Sequence, residues 1–140
     1  MKSNILLDTG PLVAIVNRRE AFHQWVTQTT TNFSSPFFTC EAVITEACFL
    51  LQNIYGGEDA IMGLVKSKKI IIPFQFSEEV DAIRELMQRY RSVPMSFADA
   101  CVVRMSKLIG GSSIFTIDSD FYIYRKNRKE MIDLIIPDGI

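Results

Sequence analysis

Ile5-Leu6-Leu7-Asp8-Thr9-Gly10-Pro11-Leu12 is the stretch whose reading decides the fold. Three apolar residues closed by Asp-Thr-Gly-Pro read as a short strand buried on both faces, followed by a turn. Pro11 suits the first turn of a helix, where its missing N–H costs nothing. That helix is expected to reach about Asn17. Open α/β sheets bind ligands beyond the carboxyl ends of their strands, and Asp8 would stand in that position.

The same alternation repeats along the chain. Helices are expected over Ala21–Thr30, Glu41–Ile54 (stopped by Gly56-Gly57) and Asp59–Ser67. Strand-like runs are Phe37-Phe38-Thr39, Ile70-Ile71-Ile72 ended by Pro73, Ser113–Thr116, and Leu134-Ile135-Ile136 ended by Pro137. Ser77 with Glu78 and Glu79 offers a capping hydroxyl and first-turn acids for a helix to about Arg89. Ser96 opens another that ends before Gly110-Gly111, and Asp120–Tyr124 reads as a short helix. Short apolar strands alternating with helices imply βαβ units, right-handed crossovers and a mainly parallel sheet covered on both faces. The expected class is therefore α/β, with Asp118 after its strand in a place equivalent to that of Asp8.

With 140 residues the chain is expected to form a single domain over 1–140. A 48% apolar and 22% charged composition is ordinary for a globular protein, but the net charge of −1 excludes wholesale electrostatic capture of nucleic acid. Any such substrate must be held by a local basic patch. Cys40, Cys48 and Cys101 show no C-x-x-C spacing, which fits buried free thiols in a reducing compartment. His23, the only histidine, cannot build a histidine metal site and is read as a packing or surface residue. The three-residue apolar run near the start is too short for a leader or a membrane span, so a cytoplasmic location without membrane contact is expected.

Four acids stand where acids are costly. Glu46 is flanked at helical spacing by Ala42, Val43, Phe49 and Leu50, which points it inward. A buried carboxylate needs a salt bridge, a proton with hydrogen bonds, or a metal. Asp99 lies among Met95, Ser96, Val102 and Val103, although Ser96-Phe97-Ala98-Asp99 also matches a capping box. Asp8 could serve the turn before Pro11, and Asp118 could cap the helix near Asp120. One shared site explains all four more economically than four separate local roles. Two charges ~4 Å apart repel by about 4 kcal/mol at an effective dielectric of ~20, so such a cluster requires cations. Oxygen ligands without His or thiolate select Mg²⁺ or Mn²⁺, ions suited to phosphodiester hydrolysis.

The pieces ILLDTGPL, EAVITEACFLL, SFADACVV and TIDSDF, in this order, resemble the motifs of PIN-domain ribonucleases. Among these, VapC-type toxins of bacterial toxin–antitoxin pairs are closest in length. The resemblance implies a three-layer α/β/α fold with a central, mainly parallel sheet. It makes Asp8, Glu46, Asp99 and Asp118 the catalytic, metal-binding acids. Thr9 and Thr116 would be polar supporting groups, and Asp120 an outer acid near the metal. It further implies Mg²⁺- or Mn²⁺-dependent endoribonuclease activity through a metal-activated water, a homodimer, and a cognate antitoxin. The substrate would be RNA, with tRNA or another structured RNA as candidates.

Arg125, Lys126, Arg128 and Lys129, soon after Asp118, are the best candidates for phosphate contacts. Phe22, Trp25, Phe33, Phe37 and Phe38 could stack bases, but core or dimer packing is the simpler reading. Haloacid-dehalogenase-type hydrolases need a second acid two residues after the first, and Gly10 occupies that place. Receiver-type domains need paired acids near the first strand. The surviving alternative is a non-catalytic PIN-fold module that binds RNA or protein.

Overall fold

The computed structural model describes residues 1–140. Five strands form one sheet: β1 (Ile5–Leu7), β2 (Phe37–Phe38), β3 (Ile70–Ile71), β4 (Ser113–Phe115) and β5 (Leu134–Ile135). Their order is β3-β2-β1-β4-β5, and every pairing is parallel. The helices are α1 (Thr9–Val16), α2 (His23–Thr30), α3 (Glu41–Leu50), α4 (Gly57–Lys66), α5 (Val80–Arg89) and α6 (Phe97–Leu108). The chain moves from β1 outward through β2 to β3, then crosses back to β4 on the other side of β1. Right-handed crossovers then place α1–α4 on one face and α5–α6 on the other. This is a three-layer α/β/α sandwich.

The expected class and parallel sheet therefore hold. Ile5, Leu6 and Leu7 are fully buried at the sheet's centre, as an uninterrupted apolar strand requires. Around them lies one cluster of buried apolar residues, in which Phe33 packs edge-on and Trp25 at a tilt against Phe115. These aromatics are packing groups. His23 is one too: its Nδ1 lies 2.5 Å from the Ala14 carbonyl oxygen. No helix is long and apolar enough to cross a membrane.

Two helix boundaries differ from the sequence reading by three or more residues. α3 stops at Leu50 rather than Ile54, because buried Leu51 begins a run of turns ending at Gly56, whose φ of 73° suits glycine. The helix expected from Ser77 starts at Val80. Ser77 falls in a 3₁₀ turn closed by the Glu79 N–H on the Phe76 carbonyl at 2.8 Å. Glu79 takes the cap position without capping, since its carboxylate is held by Arg104 Nε at 2.6 Å. By contrast, Ser96 and Asp99 form the anticipated capping box.

Three sets of contacts bring distant segments to the carboxyl ends of the strands. Thr39, fully buried after β2, donates its hydroxyl to the Leu7 carbonyl at 2.7 Å. α3 packs on both α1 and α6, bringing the helix of Glu46 against the one that begins near Asp99. Gly10, at the start of α1, lies close to Ile117 after β4: a Cβ there would fall 2.5 Å from Ile117 Cγ1. Gly10→Ala must displace that side chain and should lower stability by about 1–3 kcal/mol. Urea unfolding measures this, and an unchanged midpoint would show that Ile117 yields freely.

Candidate active site

Asp8 follows β1 and Asp118 lies three residues beyond β4, the two strands between which the chain reverses its direction across the sheet. A crevice opens at such a switch point. One buried hydroxyl joins the two segments. Thr116 Oγ1 donates to Asp8 Oδ2 at 2.7 Å and accepts the Asp118 N–H at 3.0 Å. The Asp8 N–H bonds the Phe115 carbonyl at 3.1 Å, so β-type pairing continues to the site's edge. From the next residue, Thr9 Oγ1 donates to Glu46 Oε1 at 3.1 Å. Both threonines thus orient acids.

Asp99 enters from the start of α6. Its Oδ2 accepts the Ser96 N–H at 3.4 Å and the Tyr124 hydroxyl at 3.1 Å. Asp118 Oδ1 accepts the Asp120 N–H at 2.9 Å, capping a 3₁₀ turn over Ser119–Tyr122. Asp99 and Asp118 therefore fill the local roles their sequences suggested, and both lie near enough to Asp8 for their charges to act on it. Asp8 fills no such role: it occupies the N-cap position of α1 without a side-chain capping bond.

Burial pushes the Asp8 carboxyl up to about 7, and the charges of Asp99 and Asp118 add to the rise against the opposing pull of Thr116. Burial raises Asp99 as well, with Asp118 contributing. None of the four acids belongs to any of the protein's five salt bridges. The alternative of a buried Glu46–arginine pair is thereby excluded.

Glu46 itself corrects the sequence reading. It is half-buried, and Phe49 and Leu50, expected to share an interior stripe with it, are 67% and 58% exposed. The buried line of α3 runs through Val43 and Ala47. Arg125 also departs from expectation, because its guanidinium Nη1 is spent on the carbonyls of Tyr122, Ile123 and Tyr124. It fastens its own loop. Tyr124 is a residue that sequence reasoning missed. It is fully buried yet touches Asp99, and burial together with Asp99 raises its phenol. Nothing in the local sequence marks it apart from other core aromatics.

A family model, the PIN domain, matches residues 5–127, a span that includes all four acids. The chain belongs to the PIN domain family. Among solved structures, the PIN domain resembles VapC20 of Mycobacterium tuberculosis, described as a sarcin–ricin loop cleaving toxin. The TM-score is 0.71 at 21% identity, covering 83% of this chain and 91% of that one. At that identity the likeness speaks for the fold. No curated protein matches the sequence significantly.

The family implies a divalent cation, and the donor chemistry here can be tested against it. The four candidate donors are all carboxylates, they lack cationic partners, and Glu46, Asp99 and Asp118 each have one oxygen without a protein hydrogen bond. Those features suit a hard ion. However, no three Asp, Glu, His or Cys side chains stand close enough to grip one ion together. The expected tight four-acid cage is therefore absent. Mg²⁺ is compatible with that, because it keeps several waters and needs only one or two direct carboxylates plus substrate phosphate.

The burial of Asp8 has a consequence for stability. Its folded value of about 7 exceeds its ordinary 3.8, so the folded chain holds a proton that the unfolded chain releases between them. That contribution is full below about pH 4 and disappears as pH rises through about 7, amounting to on the order of 4 kcal/mol. In EDTA, unfolding free energy should fall from pH 5 to pH 8, and Asp8→Asn should flatten the slope. A rising profile in that window would show Asp8 already ionised.

Proposed function

We propose that this PIN domain is a Mg²⁺- or Mn²⁺-dependent endoribonuclease, the toxin of a toxin–antitoxin pair. The observation that carries the reading is Asp8: buried, held by Thr116, beside the like charges of Asp99 and Asp118, and without a counter-cation. A carboxylate so placed is ready for a cation or a proton.

In this reading Asp8, Glu46, Asp99 and Asp118 hold the ion, with Asp120 as an outer acid. When bound, the ion would neutralise charge developing on the scissile phosphate and lower the pKa of an attacking water. The chain's own groups do the rest. Thr116 fixes the Asp8 carboxylate, Thr9 fixes Glu46, and Tyr124 fixes Asp99. The free oxygens of Glu46, Asp99 and Asp118 are acceptors that can orient a water. RNA is the substrate class favoured by the family, and the VapC20 likeness makes a cognate antitoxin the natural partner. The family's homodimer has a suitable surface in Phe49, Leu50, Tyr55 and Met62, large apolar side chains exposed on or beside α3 and α4.

One observation favours a second reading, a non-catalytic binding module: the acids are not gathered into a ready cage. Single-stranded RNA incubated with the protein and Mg²⁺ or Mn²⁺ separates the two. Cleavage by the wild type should fall at least about 10²-fold in Asp8→Asn, a loss typical when transition-state charge stabilisation is removed, while thermal stability at neutral pH is not reduced. Equal cleavage by the variant, or RNA binding without cleavage by the wild type, sinks the enzyme reading. The 5′ ends of cellular RNAs cut on expression, with Asp118→Ala as the control, would identify the target.

A further inference from the structure

Away from the acids, α5, α6 and the loop 126–129 enclose a groove of about 460 Å³. Arg89 projects from α5, Arg104 and Lys107 from α6, and Lys126, Arg128 and Lys129 from the loop. Three acids answer these six cations: Glu85 pairs with Arg89 and Arg128, Glu79 with Arg104, and Glu130 with Lys126. Lys107 and Lys129 have no ion-pair partner. In a chain of net charge −1 this is a strong local excess of positive charge.

A line of packed side chains links the groove's wall to the candidate active site. Arg89 lies over the Tyr90 ring, 6.0 Å from its centroid. Tyr90 packs edge-on against Tyr124 with centroids 5.1 Å apart, and the Tyr124 hydroxyl reaches Asp99 at 3.1 Å. The Tyr90 hydroxyl also accepts the Arg125 N–H at 3.0 Å, fixing the loop that delivers Lys126. Arg89 thus marks the end near the acids. Arg104 and Lys107 lie five and eight residues beyond Asp99, about 7 and 12 Å along the axis of α6.

We propose that this groove is a backbone-binding track for the polynucleotide substrate, seating phosphates of the strand that leads away from the scissile bond. The proposal rests on the nuclease reading above for the identity of its ligand. The lining chemistry selects the ligand class. Only two of the ten lining residues are apolar, whereas small-molecule sites are mostly apolar and protein partners need buried apolar anchors. Nucleic-acid interfaces are polar and positively charged. Arginines presented by two helices and a pinned loop suit phosphate oxygens bidentately.

The test measures binding apart from cleavage. A fluorescein-labelled RNA stem–loop is titrated in EDTA, by anisotropy, between about 50 and 200 mM KCl. The triple variant Lys107→Gln/Arg128→Gln/Lys129→Gln removes exposed cations only. It should weaken binding at least tenfold and flatten the slope of log affinity against log salt by about 2–3. Lys107→Gln and Lys129→Gln singly should give partial losses. Lys66→Gln/Lys68→Asn/Lys69→Gln removes equal charge elsewhere and should match the wild type. An unchanged slope in the groove variant, an equal loss in the control, or displacement of RNA by polyglutamate at equal charge would overturn the proposal. Cleavage with Mg²⁺ is scored separately. Groove-dependent binding without cleavage leaves the track standing and removes the nuclease reading; cleavage with an unaltered salt slope does the reverse.

Discussion

The hydroxyl of Thr116 is the joint on which the site's geometry depends. It is wholly buried, donates to the carboxylate of Asp8, and accepts from the backbone of Asp118. Through it, the segments that leave the neighbouring parallel strands β1 and β4 are tied together beside Asp8 and Asp118. A buried polar group that uses both its donor and its acceptor adds specificity because neither end can be re-satisfied elsewhere. Asp8 is the partner whose burial costs most. Burial and like charges both disfavour its ionised form, and the protein supplies hydrogen bonds but no cation. The site is thus built with a standing preference for something positive, a proton or a metal ion.

The fold was largely legible because its elements are short and strongly marked. Ile5-Leu6-Leu7 and Ile70-Ile71, each closed by a turn signal, have no other economical placement than a buried parallel strand. The Ser96–Asp99 box named its helix start correctly because the capping bonds are local. Elements whose ends depend on tertiary contacts were not legible. Ser77 looks like a cap, yet α5 begins at Val80, where Glu79 is drawn to an arginine twenty-five residues away. α3 ends early because Leu51 is taken into the core, and no rule of helical spacing anticipates that.

The site was legible in a different way. Asp8 and Asp118 could be placed from their strands alone, and the structure puts both at the carboxyl edge. Glu46 was singled out by an argument that fails in detail. Its supposed interior neighbours, Phe49 and Leu50, are exposed, so their apolar character reports a surface rather than a core face. Glu46 nevertheless reaches Thr9, beside Asp8. For Asp99 the sequence offered capping or the shared site as alternatives; the capping box is present, Oδ2 serves the cap and Tyr124, and Oδ1 has no protein hydrogen bond. Tyr124 and the cations of α5 and α6 were invisible for one reason. Their partners lie on other elements, and a tyrosine or a lysine on an amphipathic helix carries no local sign of what it faces.

Net charge was the weakest guide. A value near zero speaks only against wholesale capture of nucleic acid and leaves room for a local basic patch, because it averages two regions of opposite sign. The acids collect at the carboxyl ends of β1 and β4, and cations line the α5–α6 hairpin. Within about one Debye length, 8–10 Å at moderate salt, a phosphate chain experiences each region separately rather than their sum. Separation of this kind serves a hydrolase acting on a polyanion. An acidic centre by itself repels its substrate, and a basic one would hold both substrate and product too firmly. A basic track joined to an acidic centre through Tyr90 and Tyr124 can draw in the strand at one end while keeping the reacting end dependent on a bound cation. The neutral total is therefore what the division of labour requires.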